Sequence, residues 1–338
     1  MSTFNISELD DGPLGPLALS RSGVDRATPR RSDTEWLAQT WADPRTRVLV
    51  VREAQVLVAT RDSQLELVFV APADAPEGTR FLLGVDADEI AYWGVAVPRG
   101  GNLEYPDGSR AADWEFGAGP ESADAKPMPL RIAGALLSDR DAGLMTHAVA
   151  LALWHDSHTH CPLCGTATVP APAGHLTTCP ADGTEHFPRL DPAVIMLVID
   201  PDDRLMLARN ALWPAGRMSV VAGFVEPGES AEHAVAREVF EETGIVVDQV
   251  RYLGSQPWPM PRSLMLGFTA RAKGAQRIAV DEEEIGEARW FSRADMRAAI
   301  DAGELGIAPS TSIARRLIEF WYGGELPDGT AGWPGRVR

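Results

Sequence analysis

The chain has 338 residues, of which 45% are hydrophobic and 23% charged, a composition typical of a globular protein with room for two domains. Its formal net charge of −17 argues against a long basic groove for a nucleic-acid backbone, although short contacts with an RNA end stay open. The three cysteines all lie within 161–179, which excludes a fully paired disulfide framework and favours a reducing compartment. The acidic, polar N-terminus is unlike a secretory signal, and the longest apolar run, 193–199, is too short to span a bilayer. We therefore expect a cytoplasmic protein.

The first part of the chain, 1–155, predicts a β-rich domain. Residues 1–44 are rich in loop-forming residues. Apolar runs separated by turn residues then predict five strands, at 48–51, 56–59, 65–70, 81–85 and 90–97. A polar linker at 117–129 and two helices, at 129–137 and 142–154, are expected to follow. Because this half offers no catalytic constellation, a packing or dimerisation domain is favoured over a second active site.

Residues 156–188 contain three of the four cysteines of a zinc ribbon. Cys161 and Cys164 form one CxxC knuckle, and Cys179 opens a second in which Asp182 takes the place of the fourth cysteine. Tetrahedral zinc accepts thiolate, imidazole and carboxylate ligands, so these four residues are the candidate zinc site. Three histidines offer alternative fourth ligands: His160, His175 and His186. A ribbon-shaped loop without metal is an equal alternative at this point.

The segment 189–323 holds an acidic helix that follows two predicted strands, at 193–200 and 204–208. Glu238, Glu241 and Glu242 are spaced i, i+3 and i+4, so their carboxylates project from one side of the helix. Three crowded negative charges repel one another unless a cation lies between them. Hard oxygen ligands suit Mg²⁺ or Mn²⁺, which in turn bind phosphate oxygens.

The ends and the apolar face of this helix are also predicted by the sequence. Ser230 is placed to cap its N-terminus, and Gly244 stands where a helix commonly ends. Ala231, Val235 and Val239 recur every four residues and form a stripe that can pack on a sheet.

A proline-rich loop is predicted at 255–265, after a strand at 246–255. Its alternating prolines hold Trp258 rigidly beside Gln256 and Ser263. This arrangement suits stacking and hydrogen bonding of a nucleotide base or nicotinamide, and a plain surface loop is the alternative. The rest of the chain contains an acidic run at 281–284. It predicts a strand at 288–291, helices at 292–302 and 310–322, and a frayed tail at 324–338.

The stretch 223–245 matches a known signature at every defined position. Gly223, five residues, Glu229, seven residues and then the sequence REVFEETGI from Arg237 form a Nudix box. The chain therefore resembles the Nudix hydrolases. The Gln-Pro-Trp-Pro sequence with its following serine, together with the ribbon, makes it similar to the NADH pyrophosphatase (NudC-type) subfamily. Met260 replaces the usual phenylalanine of that subfamily, and Asp182 replaces a ribbon cysteine.

This resemblance implies an α+β protein, in which a catalytic Nudix domain of α/β/α type at 189–323 follows the zinc-ribbon-like segment and a degenerate Nudix-like N-terminal domain. It also implies a homodimer that uses Mg²⁺ or Mn²⁺ and carries one structural Zn²⁺. The metal ligands implied are the carbonyl of Ala222 and the carboxylates of Glu238, Glu242 and Glu284. Glu238, Glu241 and Glu242 are the implied catalytic residues, and the general base is Glu241 or Glu242.

Two further sets of residues follow from the resemblance. Four residues of the box are expected to have structural roles: Gly223, Glu229, Arg237 and Gly244. The substrate is expected to contact Phe187, Phe224, Gln256, Pro257, Trp258, Pro259, Met260, Pro261, Arg262, Ser263, Met265 and Ala314.

The implied activity is metal-dependent hydrolysis of the diphosphate bond of NAD(H) to NMN(H) and AMP. Removal of NAD caps from RNA 5′ ends, leaving 5′-monophosphate RNA, is implied as well. A Nudix hydrolase acting on ADP-ribose or dinucleoside polyphosphates is one alternative. A catalytically silent regulator that binds NAD or RNA is another, although the complete set of carboxylates weighs against it. An NAD-dependent dehydrogenase is excluded because no G-x-G-x-x-G follows a strand.

Overall fold

The computed structural model describes residues 12–98, 103–104, 110–111, 125–280 and 283–327. Part of the predicted linker (up to residue 124), Asp281, Glu282 and the tail from residue 328 lie outside these ranges. The described residues form two compact units. The first contains Arg21–Leu190 and Pro259–Arg262, and the second contains 12–20, Asp191–Trp258 and 263–327. Among the described helices, none combines the length and apolar character that a bilayer crossing needs.

The first unit is rich in short strands, as predicted. Its strands are β1 (Arg47–Val51), β2 (Gln55–Arg61), β3 (Gln64–Leu67), β4 (Thr79–Val85), β5 (Ala91–Ala96), β6 (Leu103–Glu104), β7 (Arg110–Ala111), β8 (Lys126–Pro129), β9 (Val169–Pro170), β10 (Thr177–Thr178) and β11 (Glu185–His186). Its α-helices are α1 (Thr34–Ala42), α2 (Leu130–Ala133) and α3 (Asp139–Ser157). The strands make four small sheets, ordered β1-β5-β4, β3-β2-β8, β6-β7 and β11-β10-β9.

Three predictions for this part of the chain were wrong in detail. Helix α1 lies in the segment expected to be rich in loops, and Asp33 caps it by accepting from the backbone N–H of Trp36. The described end of the expected linker is strand β8, which pairs with β2 at the edge of its sheet, where prolines remove no ladder bond. The helix expected at 129–137 is reduced to the four residues of α2.

The ribbon segment packs against strand β4 within the first unit. The backbone N–H of Leu82 donates to the carbonyl of Ala173 at 3.0 Å. His175 Nε2 lies 2.7 Å from the carbonyl of Leu82, and His155 Nε2 lies 2.8 Å from that of Gly174. Gly174 has a φ of +70°, and a Cβ there would lie 2.4 Å from the Arg80 carbonyl. Only glycine therefore allows this close approach.

The second unit contains a six-stranded mixed sheet between helices. Its strands are β12 (Asp191–Ile199), β13 (Leu205–Asn210), β14 (Val221–Phe224), β15 (Val247–Trp258), β16 (Ser263–Ala272) and β17 (Ile285–Phe291). Its helices are α4 (Ala231–Thr243), α5 (Arg293–Asp301) and α6 (Ile313–Tyr322). The strand order is β15-β16-β12-β13-β17, and β14 pairs with β12.

Alternate residues of β12 point to opposite faces of this sheet and enter two separate cores. Ile195 and Leu197 pack with residues of α5, α6 and the segment 12–20. Val194 and Met196 pack with residues of α4, including Val235 and Val239. The second unit is therefore an α/β/α sandwich, and the predicted α+β class is confirmed.

The predicted proline-rich loop is mostly strand. β15 continues to Trp258 and β16 begins at Ser263, and these two residues pair across the hairpin. Pro257 fits within β15 because that strand lies at the edge of the sheet, where a missing N–H removes no ladder bond. The connection is reduced to the four residues Pro259–Arg262.

Candidate active site and metal centres

Helix α4, which carries the acidic residues, has capped ends and one buried apolar face. The Ser230 side chain accepts from the backbone N–H of His233, and Gly244 ends the helix with a left-handed φ of 69°. Both predicted ends are confirmed. Val235 and Val239 are buried as predicted, whereas Ala231 is only half-buried and Ala234 takes the remaining core position.

In the short strand β14, the carbonyl of Ala222 points away from the paired strand β12. The N–H of Val225 donates to the carbonyl of Pro192, which fixes the phase of the antiparallel ladder between β14 and β12. Ala222 and Phe224 then belong to pairs that exchange no hydrogen bonds, so their carbonyls face the opposite edge. The Phe224 carbonyl accepts from Arg237 Nη2 of α4 at 2.9 Å. The Ala222 carbonyl points to the same side.

Gly223 lies directly against the carboxylate of Glu238. A Cβ at position 223 would fall 1.9 Å from Glu238 Cδ and about as close to both of its oxygens. No side chain can therefore stand between β14 and this part of α4. The glycine of the box provides the space in which Glu238 lies.

Arg237 connects the loop before α4 to the acidic face. Its guanidinium donates to both carboxylate oxygens of Glu229, from Nε at 2.9 Å and from Nη2 at 2.8 Å. Its Nη1 contacts Glu238 at 2.9 Å and Glu241 at 3.0 Å. The hydrogen bonds from Arg237 lower the pKa of Glu229 to about 2. Both Arg237 and Glu229 are charged at neutral pH.

Glu242 is the buried member of the acidic cluster. Only 8% of the residue is exposed, and burial, followed by the charges of Glu238 and Glu284, raises its pKa to about 8. Burial also raises the pKa of Glu238, against the opposing effect of Arg237. Glu284 is exposed and lies in the loop before β17, where its carbonyl accepts from the N–H of Ala211 at 2.8 Å. The structure thus brings three carboxylates into electrostatic contact.

The donor set of this cluster fits hard divalent cations. It consists of carboxylate oxygens and one outward-facing carbonyl, the ligands that Mg²⁺ and Mn²⁺ prefer. The glutamate oxygens do not lie close enough together to hold a single ion. Among the described residues, only the three cysteines and the aspartate of the ribbon have ligand atoms at such a spacing. Burial and, after it, the charges of Glu238 and Glu284 raise the pKa of Glu242, and a bound cation would relieve the repulsion among these carboxylates.

Several predicted substrate residues lie on one face of the sheet. The register places Gln256, Met265, Ala193 and Phe224 in one row across four strands. Paired residues on neighbouring strands point to the same face. At the same face Gly267 approaches Ile313 of α6, which identifies it as the α6 face rather than the α4 face.

The next row on this face contains Trp258 and Ser263. Both are half-buried, as is Met265, while 58% of Phe224 is exposed. Ala314 is buried within α6, and its N–H donates to the capping side chain of Ser312. Phe187 and Pro259–Arg262 belong to the first unit, so their contact with a substrate stays a prediction.

Gln256, which is predicted to contact the substrate, is bonded within the protein. It is 1% exposed, and its side-chain amide is bonded to backbone on both sides. Its Oε1 accepts from the N–H of Leu19 at 3.2 Å, and its Nε2 donates to the carbonyl of Thr311 at 3.0 Å. The side chain is therefore occupied by the protein. No local pattern in the sequence indicates Leu19 or Thr311 as its partners, because each lies far away along the chain.

The ribbon brings its four predicted ligands together. The Sγ atoms of Cys161, Cys164 and Cys179 and a carboxylate oxygen of Asp182 all lie within 4.8 Å of one another. Cys164 Sγ and Cys179 Sγ are 3.5 Å apart, and Cys161 Sγ and Asp182 Oδ2 are 3.8 Å apart. Three thiolates and one carboxylate at this spacing fit tetrahedral zinc.

The two knuckles of the ribbon have the same backbone form. In the first, the N–H of Gly165 donates to the carbonyl of Cys161, and in the second the N–H of Gly183 donates to that of Cys179. Both glycines have a left-handed φ, of 74° and 75°. Asp182 therefore occupies the position in the second knuckle that Cys164 has in the first. None of the three alternative histidines belongs to the group.

Comparison with known proteins gives a match to three family models, which follow one another along the chain. Residues 45–154 match the NADH pyrophosphatase-like rudimentary NUDIX domain. Residues 156–187 match the NADH pyrophosphatase zinc ribbon domain, and residues 189–310 match the NUDIX domain.

Several curated proteins are similar over most of the chain. The NAD-capped RNA hydrolase NudC of Mycobacterium bovis (strain BCG / Pasteur 1173P2) is 41% identical over 332 residues, which are 94% of this chain and 98% of that protein. The protein of the same name from Mycobacterium tuberculosis (strain ATCC 25618 / H37Rv) is 40% identical with the same coverage. The human NAD-capped RNA hydrolase NUDT12 is 33% identical over 89% of this chain and 72% of its own length.

Proposed function

The chain belongs to the NADH pyrophosphatase family of Nudix hydrolases, and from this membership we propose that it hydrolyses the diphosphate bond of NAD(H) to NMN(H) and AMP. We propose that it also removes NAD caps from RNA 5′ ends and leaves 5′-monophosphate RNA. The observation that carries the proposal is the acidic cluster of α4, with Glu242 buried at its centre. A buried carboxylate such as that of Glu242, for which the described residues offer no basic partner, has no evident structural benefit.

The residues proposed to hold Mg²⁺ or Mn²⁺ are Glu238, Glu242 and Glu284, with the carbonyl of Ala222. A divalent cation bound there offsets the charge of the diphosphate and lowers the pKa of a bound water molecule. Gly223 supports this assignment, because it leaves room for Glu238 beside β14. Arg237 supports it because its Nη1 lies 2.9 Å from a carboxylate oxygen of Glu238 and holds that side chain.

Glu241 and Glu242 are the two candidate proton acceptors, and their surroundings differ. The Glu241 side chain is 58% exposed and is bonded to Arg237, so it can exchange protons with solvent. Glu242 is buried within the cluster. In either case water attacks one phosphorus, the bond from that phosphorus to the bridging oxygen breaks, and the attacking water gives its proton to the glutamate.

The two rows on the α6 face are proposed to position the dinucleotide. Phe224 and Trp258 offer aromatic surfaces for stacking, and Ser263 offers a hydroxyl group. The same diphosphate linkage occurs in free NAD(H) and in an NAD cap, so one site serves both reactions. The net charge of −17 favours contacts confined to the first nucleotides of an RNA.

We propose further that the ribbon binds one structural Zn²⁺ through Cys161, Cys164, Cys179 and Asp182. Hydrogen bonds from Thr184 lower the pKa of Asp182 to about 2, so this carboxylate is in its ligand form at neutral pH. Family membership supports a homodimer, and the three free cysteines support a cytoplasmic location.

Product analysis by mass spectrometry tests the proposed activity. The purified protein is incubated with NADH and Mn²⁺ or Mg²⁺ in ¹⁸O-labelled water, beside NAD-capped RNA, ADP-ribose and dinucleoside polyphosphates. We expect NMNH and AMP from NADH, with the label showing which phosphorus is attacked, and monophosphate RNA from the capped RNA. Preference for ADP-ribose or a dinucleoside polyphosphate would contradict the proposed specificity. Binding of NADH without turnover of any substrate would indicate a silent regulator.

A further inference from the structure

The segment 12–20 is part of the compact unit that contains the acidic cluster. Leu14 and Leu17 are buried in the core between the sheet and helices α5 and α6. Arg316 Nη2 of α6 donates to the Leu14 carbonyl at 2.8 Å, and Ser20 Oγ donates to the carbonyl of Ser255 at 3.0 Å. This segment therefore completes the second unit, although about 170 residues of the first unit separate the two along the chain.

The end of this segment is held by Gln256. The Gln256 amide accepts from Leu19 and donates to Thr311, and all three residues are at most 2% exposed. One side chain thus joins strand β15, the segment 12–20 and the loop that precedes α6. An unpaired N–H or carbonyl at such a buried point is unfavourable because it has lost its hydrogen bonds to water, so these two bonds tie the three segments together.

Gln256 lies in one of the two rows that we propose for the substrate, but its side chain is buried. It shares its row with Met265, and Trp258 follows two residues later on the same face of β15. Its bond to Thr311 holds the loop that leads through Ser312 into α6, where Ala314 lies. Movement of Gln256 would therefore move Trp258 relative to α6.

We propose that Gln256 is a positioning residue, which fixes Trp258 for substrate binding by tying the end of β15 to the segment 12–20 and to the loop before α6. It contacts the protein rather than the dinucleotide, and the segment 12–20 is thereby an integral part of the active site. This inference rests on the proposed function for its effect on turnover. Its structural part can be measured without turnover.

The test uses the full chain with Gln256→Met, which keeps the size of the side chain and removes both hydrogen bonds. We expect the KM for NADH to rise about fivefold, as the loss of about 1 kcal/mol implies, with kcat changed less than about twofold. The Leu19 amide, followed by hydrogen exchange, should lose protection by about tenfold. Gln249→Met in the exposed bulge of the same strand is the matched control and should change neither quantity.

A second variant distinguishes the effect of the hydrogen bond to Leu19 from that of the hydrogen bond to Thr311. It also keeps the test usable if the first variant does not fold. Gln256→Glu retains an oxygen for the Leu19 N–H but lacks the donor for Thr311, so KM should rise while Leu19 stays protected. Unchanged KM and unchanged exchange in Gln256→Met would overturn the inference. A fall in kcat at constant KM would overturn it too, because it would place Gln256 among the reacting groups. If the wild-type protein hydrolyses no dinucleotide, the proposed function fails, and exchange at Leu19 alone decides the positioning role.

Discussion

The carboxylate of Glu238 occupies the space that a side chain at Gly223 would need, since a Cβ there would lie 1.9 Å from Glu238 Cδ. Gly223→Ala must therefore displace Glu238 by more than 1 Å or separate β14 from α4. A shift of this size in a catalytic group can lower turnover about 100-fold. We expect kcat to fall by that order while the protein stays folded. Gly324→Ala, at an exposed glycine with no atom within 4 Å of the added Cβ, is the control, and wild-type activity in Gly223→Ala would refute the assigned position of Glu238.

Replacement of the buried carboxylate should separate activity from stability. Glu242→Gln removes a proposed metal ligand and should abolish turnover of NADH. Because burial raises the pKa of Glu242 to about 8, the neutral isostere should melt at a higher temperature than the wild type at pH 8 in the presence of EDTA. Activity assays and thermal unfolding measure the two effects, with the exposed Glu232→Gln on α4 as control. Retained turnover would exclude Glu242 as a metal ligand.

The zinc proposal predicts a dependence on the side chain at position 182. Asp182→Ala leaves three thiolates, and zinc affinity should fall more than about 100-fold, since loss of even an outer-shell partner costs 10–100-fold. Asp182→Cys should keep one zinc per chain. Metal content is measured by mass spectrometry after dialysis, with Asp88→Ala at an exposed position as control. Wild-type protein without zinc would support the ribbon-shaped loop that has lost its metal.

Acid should weaken the contact between the ribbon and strand β4. Burial lowers the pKa of His175 to about 4 and that of the neighbouring His147 well below its ordinary value. The unfolded chain binds protons near pH 6.5 and the folded unit does not, so stability is complete above pH 6.5 and falls from there towards pH 4. At pH 5 the loss from His175 is about 2 kcal/mol.

Hydrogen exchange of β4 and α3 at pH 7 and pH 5 measures this loss. His175→Gln keeps a donor for the Leu82 carbonyl but cannot be protonated, so its stability should vary less with pH. His233→Gln, at an exposed position of α4, should behave like the wild type. An equal pH dependence in His175→Gln would refute the assignment to this histidine.

Local signals in the sequence predicted much of the second unit. The ends of α4 follow from Ser230 and Gly244, whose effects act within one helical turn, and the spacing of Glu238 and Glu242 follows from helix geometry. The knuckle spacing likewise indicated Asp182 as a candidate ligand, and its carboxylate lies beside the three cysteine sulfurs. Each of these features depends on residues within a few positions of one another.

The features that could not be predicted depend on distant pairing. The hydrogen bonds of Gln256 to Leu19 and Thr311 span 237 and 55 residues. The proline-rich segment is strand because β16 pairs with both β15 and β12, and no local propensity reports that pairing. Helix α1 was not predicted because its buried Leu37 and the partly buried Trp36 and Trp41 pack on a core that residues far along the chain provide.

The register between β14 and β12 restricts insertions and deletions in this part of the chain. A slip of one residue would turn the Ala222 carbonyl into the ladder, move Phe224 to the α4 face and place a side chain against Glu238. One proposed metal ligand, one stacking surface and the position of one carboxylate would be lost together. Insertion or deletion of a single residue between Met218 and Ala222 should therefore be far more damaging than any single substitution there, so the length of this connection is itself a determinant of activity.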